Sequence, residues 1–153
     1  MSQRHSEYAR QDADAYWTPK WVFCALWSVE PDFMGCEDVA PRNRTGYDFL
    51  DDNSYRPFIA TNPPYSKAEA FCRHALEVSH PSGKVAMLLP LAFDAAKTRR
   101  DLFENPPFKA KYTLTKRIRW ENLEQKKNGP STNHAWFIWD WHFSGTPVLG
   151  YLP

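Results

Sequence analysis

Four residues, Asn62-Pro63-Pro64-Tyr65, constrain this chain more than any others. They directly follow a short apolar run, Phe58-Ile59-Ala60-Thr61. They precede a segment in which Ala68, Phe71, Cys72, Ala75, Leu76 and Val78 recur at a helical period. Two successive prolines fix φ and remove two N–H groups, so the turn is rigid and its carbonyls are open to other donors. Strand, rigid turn and helix therefore follow one another here. Ser66 reads as the N-cap of the helix, with Glu69 as its capping-box partner. In an open α/β sheet, ligands bind beyond the carboxyl ends of the strands. The turn sits at such a place, with an amide side chain (Asn62) and an aromatic face (Tyr65). As a bare tetrapeptide Asn-Pro-Pro-Tyr is also an ordinary turn sequence; its flanking strand and helix raise it above that.

The 153 residues suffice for a single domain with a core of its own. Aromatic residues make up 16% and include seven Trp, which excludes a disordered chain. No apolar run approaches the ~20 residues that cross a bilayer, and the polar N-terminus carries no signal-peptide core. Cys24, Cys36 and Cys72 have no metal-like spacing and leave one odd thiol, so a reduced, cytoplasmic setting is expected. Cys24 and Cys72 lie in apolar segments and are expected in the core.

Met1 to Ala13 is a polar lead-in. Thr18 as N-cap and Pro19 at the first helical position predict a helix to about Trp27. Residues 28–46 are irregular, punctuated by Pro31, Gly35, Pro41 and Gly46. Tyr47 to Leu50 is a short apolar segment ending in an Asp51-Asp52-Asn53 turn. Pro81-Ser82-Gly83 turns into Lys84 to Leu89, a continuous apolar run expected of a central parallel strand covered on both faces. Ala95 to Glu104 reads as helix. Tyr112 to Trp120 reads as a strand with Ile118 and Trp120 on one face. Glu121 to Thr132 is a polar loop, and Ala135 to Trp141 an aromatic-rich strand. The last two strands are expected to pair antiparallel at the end of the sheet.

Charge is unevenly placed. Between Lys97 and Lys127 ten basic residues face four acidic ones, leaving +6 there and about −5 elsewhere, although the whole chain carries only +1. Lys116, Arg117 and Arg119 are the centre of this stretch. Beside a ligand site it suits a phosphate backbone; by itself it equally describes a solvated charged face.

These motifs together resemble the class I methyltransferases that use S-adenosylmethionine (SAM) to methylate amino groups, in particular the small bacterial and phage enzymes acting on N6 of adenine in DNA. The matching segments are Tyr16-Trp17-Thr18-Pro19, Tyr47-Asp48-Phe49-Leu50 and Thr61 to Ser66. They continue with Ala68 to Phe71, Arg73 to Leu76, Val85 to Pro90, and Ser131-Thr132 followed by Ala135 to Asp140. The order is the family's order. The resemblance implies a Rossmann-like α/β sheet with helices on both faces. It implies that Asn62, Pro63, Pro64 and Tyr65 grip the target amino group. That nitrogen is a poor nucleophile because its lone pair is delocalised into the ring. Two acceptors, the Asn62 side-chain oxygen and a main-chain carbonyl by Pro63, draw it toward a pyramidal shape, while Tyr65 stacks on the extruded base, worth roughly 1–3 kcal/mol. Thr18 and Pro19 are implied near SAM, Asp48 and Phe49 beside its adenine, and Ser131 and Thr132 near the target base. Glu37-Asp38-Val39-Ala40-Pro41-Arg42 is similar to the segment whose acid, here Asp38, holds the cofactor ribose.

One departure weighs against activity. The family's Gly-x-Gly cofactor loop is missing, since no two of the six glycines are separated by one residue. About thirty residues separate Pro19 from Asp48, roughly half of what a strand, that loop, a helix and a second strand occupy. The first strand and first crossover helix are therefore expected to be lost, with Val29-Glu30-Pro31 and Gly35 as a remnant of the loop. Phe58–Thr61 would then be a bare edge. Residues 28–50, a second copy or another chain would cover it, or the fold would be marginal. The functions that remain open are SAM-dependent methylation of adenine in DNA, an inactive nucleic-acid-binding remnant, and amino methylation of an RNA guanine or a protein glutamine.

Overall fold

The computed structural model describes residues 18–36, 38–40, 46–120 and 132–153. Within them a five-stranded mixed sheet runs in the order β1-β2-β4-β3-β5. The strands are β1 (Phe58–Thr61), β2 (Lys84–Pro90), β3 (Phe108–Leu114), β4 (His134–Asp140) and β5 (Val148–Leu152). Helix α1 (Lys20–Val29) covers one face and α2 (Ala68–Ser79) the other. Pairing is parallel for β1 with β2 and for β3 with β5, and antiparallel wherever β4 is involved. Four strands thus share one direction, and β4 opposes them.

Alternation along the strands sorts the core into two layers. Ile59, Val85, Met87, Leu89, Ala135, Phe137 and Trp139 pack with Phe71, Cys72, Ala75 and Val78 of α2. Ala60, Ala86, Leu88, Trp136, Ile138 and Leu114 pack with Val22 and Leu26 of α1. Each fully buried large side chain contributes about 1.5–3 kcal/mol. Two indoles tie the layers down: Trp136 Nε1 donates to the Val22 carbonyl at 3.0 Å, and Trp139 Nε1 to that of Leu102 at 2.8 Å. At the turn into β2, Gly83 is required, because a Cβ there would lie 2.7 Å from the Ser79 carbonyl oxygen and 2.9 Å from that of Pro57.

Several sequence expectations shift. The apolar run over residues 85–89 is indeed covered on both faces, but only its β1 side is parallel. The aromatic strand lies inside the sheet rather than at its end, with an unanticipated β5 beyond β3. The strand expected over 112–120 occupies Phe108–Leu114, where the alternation of Phe108, Ala110 and Leu114 meets the sheet. Ile118 is buried beyond it. Residues 95–104 form no α-helix. Ala96 is extended (φ −88°, ψ 130°) and splits the segment into two 3-10 turns, Phe93–Ala95 and Lys97–Leu102. The expected capping box is absent: a 3-10 turn, Tyr65–Lys67, comes first, and α2 begins after Lys67 without a side-chain cap. Glu69 instead pairs with Arg73 and Arg99. Cys72 is buried and its thiol is pushed up to about 12 by desolvation, whereas Cys24 is exposed because it points away from the stripe formed by Val22 and Leu26. The lead-in and nearly all of the polar loop fall outside the described residues.

β1 is an edge strand, as expected from the missing first strand. No described strand pairs with its outer side. Part of the 28–50 segment covers it. Phe33 meets the Phe58 ring edge-on at 6.4 Å, Cys36 packs against the layer that contains Ala60, and the buried Thr61 hydroxyl donates to the Asp38 carboxylate. The chain thus climbs alongside β1 from its amino to its carboxyl end, crossing from the α1 layer (Phe33) to the α2 layer (Val39). Its foot is held by ion pairs of Asp32 with Lys84 at 2.6 Å and of Glu30 with Lys109 at 2.8 Å. Thr61→Val removes the charge-assisted bond to Asp38 at nearly constant shape and should lower unfolding stability by about 1.5–3 kcal/mol. Urea denaturation measures it; an unchanged midpoint would mean Asp38 does not hold this edge.

Candidate functional site

Because four strands run the same way, their carboxyl ends and the start of β4 meet on one rim of the sheet. This rim collects Asn62 after β1, Leu91 to Phe93 after β2, Thr115 to Trp120 after β3, and Thr132 to His134 before β4. Cross-links confirm the juxtaposition. Leu91 N donates to the Asn133 carbonyl at 3.0 Å, Arg117 Nε to Asn133 Oδ1 at 3.2 Å, and Thr115 N to the Leu152 carbonyl at 3.0 Å.

Asn62 meets Thr18 across 44 residues of sequence, its Nδ2 donating to Thr18 Oγ1 at 3.1 Å. That bond decides which branch of the amide faces α1, and places the acceptor Oδ1 on the other branch. Thr18 is therefore spent on Asn62 rather than on capping α1, whose cap position is Pro19 without a side-chain bond. Pro63 and Pro64 are buried. The Pro64 carbonyl accepts from Lys67 N at 2.9 Å, whereas no described backbone N–H donates to Pro63. The acceptor pair expected at this turn is thus Asn62 Oδ1 with the Pro63 carbonyl.

Tyr65 is 71% exposed. It forms one wall of a cleft of about 190 Å³ completed by Ala68, Pro90, Ala92, Phe93 and Arg99. Ligand pockets for larger molecules run from about 300 Å³ upward, so this one suits a single ring system. Phe93 and Arg99 were not picked out from sequence. The aromatic three residues past the strand-ending Pro90 was the available signal, but Arg99 is brought in only by the 3-10 turns.

Lys116, Arg117 and Arg119 are exposed on the rim, and among the described residues they form no ion pair. Lys116 Nζ stands 5.0 Å over the Trp21 ring. Four of the five earlier cations of the basic stretch are paired, Arg99 with Glu69, Arg100 with Glu104, Lys109 with Glu30 and Lys111 with Asp94; Lys97 is in no ion pair among the described residues. Lys116 stands over α1, whose preceding Thr18 bonds Asn62. Thr132 is exposed next to it, and Ser131 lies outside the described residues.

The expected cofactor residues are scattered. Thr18, Pro19 and Asp38 do converge on the carboxyl end of β1. Asp48 caps the Phe49–Asp51 turn by accepting from Leu50 N, and Phe49 is wholly buried against Phe71 and His74. The proposed glycine-loop remnant is at the opposite rim, where Glu30 meets Lys109 at the foot of β3. Asp38 already accepts from Thr61 and from Ala40 N. The described residues therefore do not form the glycine cradle that SAM occupies in the family resembled.

No protein-family model matches the chain, and no curated protein matches it. Among solved structures it is similar to a candidate class I SAM-dependent methyltransferase from Listeria monocytogenes, at 12% identity and a TM-score of 0.44, over 65% of this chain and 37% of the other. The chain thus spans little more than a third of that protein's length. No described helix is long and apolar enough to cross a membrane.

His134 begins β4 on this rim, its ring against Trp120 at 5.2 Å and its Nδ1 bonded to the Thr132 carbonyl at 3.0 Å. Burial lowers its pKa from 6.5, so the fold favours the neutral ring. The unfolded chain then takes up the proton first as pH falls. Stability should be full above the unfolded value and decline as pH drops below it. Urea midpoints at pH 7.5 and 5.5 should differ less in His134→Gln than in the wild type; equal slopes would assign the acid sensitivity elsewhere.

Proposed function

We propose that this chain binds DNA as a methyltransferase-like protein and grips the exocyclic amino group of an unpaired adenine at Asn62–Tyr65. The observation that carries this reading is the Thr18–Asn62 bond. It orients an amide on a rigid, buried Pro-Pro turn whose remaining acceptor is the Pro63 carbonyl, beside an exposed tyrosine ring. Two such acceptors match the two N–H bonds of an aromatic amine, and Tyr65 supplies a stacking face. Lys116, Arg117 and Arg119 supply phosphate contacts next to it. Thr132 lies on the same rim of the sheet.

Methyl transfer would need SAM, which would supply an electrophilic methyl group when bound. Thr18, Pro19 and Asp38 are the residues gathered nearest Asn62, and they lack the glycine cradle. We therefore read the chain as a base-binding domain without transfer of its own. Titration of the full chain with SAM should give no saturable heat up to millimolar concentration; micromolar binding would overturn this and restore the enzymatic reading. Asn62→Ala should weaken binding to single-stranded DNA containing adenine while leaving the thermal melt within a few degrees of wild type.

The basic rim makes a separate prediction. Affinity for a single-stranded oligonucleotide should fall steeply with salt, with a log–log slope near −0.7 for each phosphate contacted. Replacing Lys116, Arg117 and Arg119 together by Gln should flatten that slope by about two. A slope unaltered by the triple substitution would place the phosphate contacts elsewhere.

A further inference from the structure

The cleft behind Tyr65 has a second wall whose chemistry the amino-group grip does not use. Arg99 stands over the Phe93 ring, its guanidinium carbon 4.0 Å from the ring centroid. Its Nε donates to Glu69 at 3.2 Å and its Nη1 to the Phe93 carbonyl at 3.1 Å. Among the described residues Nη2 donates to nothing. The guanidinium is therefore a donor held in a fixed plane in the lining of a ring-sized cleft. Three of its surroundings, the Phe93 ring, Glu69 and the Phe93 carbonyl, fix its position, so a ligand meets it without further ordering of the side chain.

Charge decides what kind of acceptor such a donor serves. Glu69 sits between Arg99 and Arg73, and Asp101 pairs with Arg73 at 2.8 Å, so the cluster of two arginines and two acids is neutral. A neutral cluster attracts an anion weakly, whereas Lys116, Arg117 and Arg119 on the same rim form no ion pair among the described residues. Aromatic walls, a volume near 190 Å³ and a fixed donor within a neutral cluster fit an uncharged heteroaromatic ring with an acceptor on its edge. A phosphate fits the other cluster.

We propose that Arg99 is a specificity-determining residue of the Tyr65–Phe93 cleft, donating from Nη2 to a ring nitrogen of the bound base. This rests on the reading that the cleft takes an unpaired adenine. The base would be sandwiched by Tyr65 on one side and the Arg99–Phe93 stack on the other. Its amino group would lie on the Asn62 turn and a ring nitrogen on Arg99. The pair of contacts distinguishes a base carrying both an amino group and a ring acceptor from a pyrimidine lacking that arrangement.

The test uses the full chain and fluorescein-labelled oligothymidylate carrying one central residue: adenine, an abasic site, or 1-deaza-, 3-deaza- or 7-deaza-adenine. Each deaza base removes one ring acceptor and keeps the amino group. Anisotropy titration should show wild type preferring adenine to the abasic site. It should also show about a tenfold loss for one of the three deaza bases, the size of one charge-assisted hydrogen bond. In Arg99→Gln that loss should disappear, and in Arg99→Lys it should shrink, while the response to salt stays as in wild type. Equal wild-type affinity for adenine and all three deaza bases would overturn the role of Arg99 and leave the base reading standing. Unchanged discrimination in Arg99→Gln would do the same. No preference for adenine over the abasic site would overturn the base reading itself, and this inference with it. The wild-type deaza series holds even if a substitution at Arg99 disturbs the fold.

Discussion

Strand β4 is the constraint on which the rest of this structure depends. Every residue from His134 to Asp140 is buried, and the strand joins β2 to β3 through antiparallel ladders on both sides. Its alternation sends Trp136 into the α1 layer and Trp139 into the layer on the other face, and each indole N–H is bonded to the backbone it packs against. One strand thus fixes the positions of both coverings. Because β4 runs against its neighbours, its start lies at the carboxyl ends of the others. Asn133 and Thr132 are thereby carried onto the rim where Asn62, Phe93 and Lys116 emerge.

The edge of the sheet is handled by economical means. A strand that lacks an outer neighbour exposes unpaired backbone groups and invites association. Here a non-strand segment climbs its side, with a ring contact at the foot and a carboxylate bond at the top. Asp38, the acid that the family resemblance would assign to a cofactor ribose, is bonded to Thr61. At this place in the order of motifs Asp38 holds the edge strand through Oδ1.

The rim separates two kinds of recognition. Lys116, which has no ion pair among the described residues, lies on the α1 side, over Trp21. A neutral, aromatic cleft lies on the α2 side between Tyr65 and Phe93. Asn62 sits between them at the end of β1. An ion-paired arginine in the cleft and cations without an acidic partner outside it, among the described residues, fit the proposed binding of a base attached to a charged backbone.

Much of this was legible from residue order alone. Pro63-Pro64 after an apolar run dictates a turn at a strand end, continuous burial over residues 85–89 dictates a covered strand, and the 3.6-residue period after Lys67 dictates α2, because these depend only on local sterics and on which side chains avoid water. Other features were beyond local reading. Whether 95–104 forms an α-helix depended on Ala96, which is extended and splits the segment into two 3-10 turns. The placement of β4 inside the sheet, the pairing of Thr18 with Asn62 and the burial of Phe49 depended on contacts between segments tens of residues apart. The sequence by itself determined that an amide, two prolines and a tyrosine end a buried strand. Only the tertiary structure decided what stands beside them, because long-range packing, not local propensity, sets which side chains share a rim.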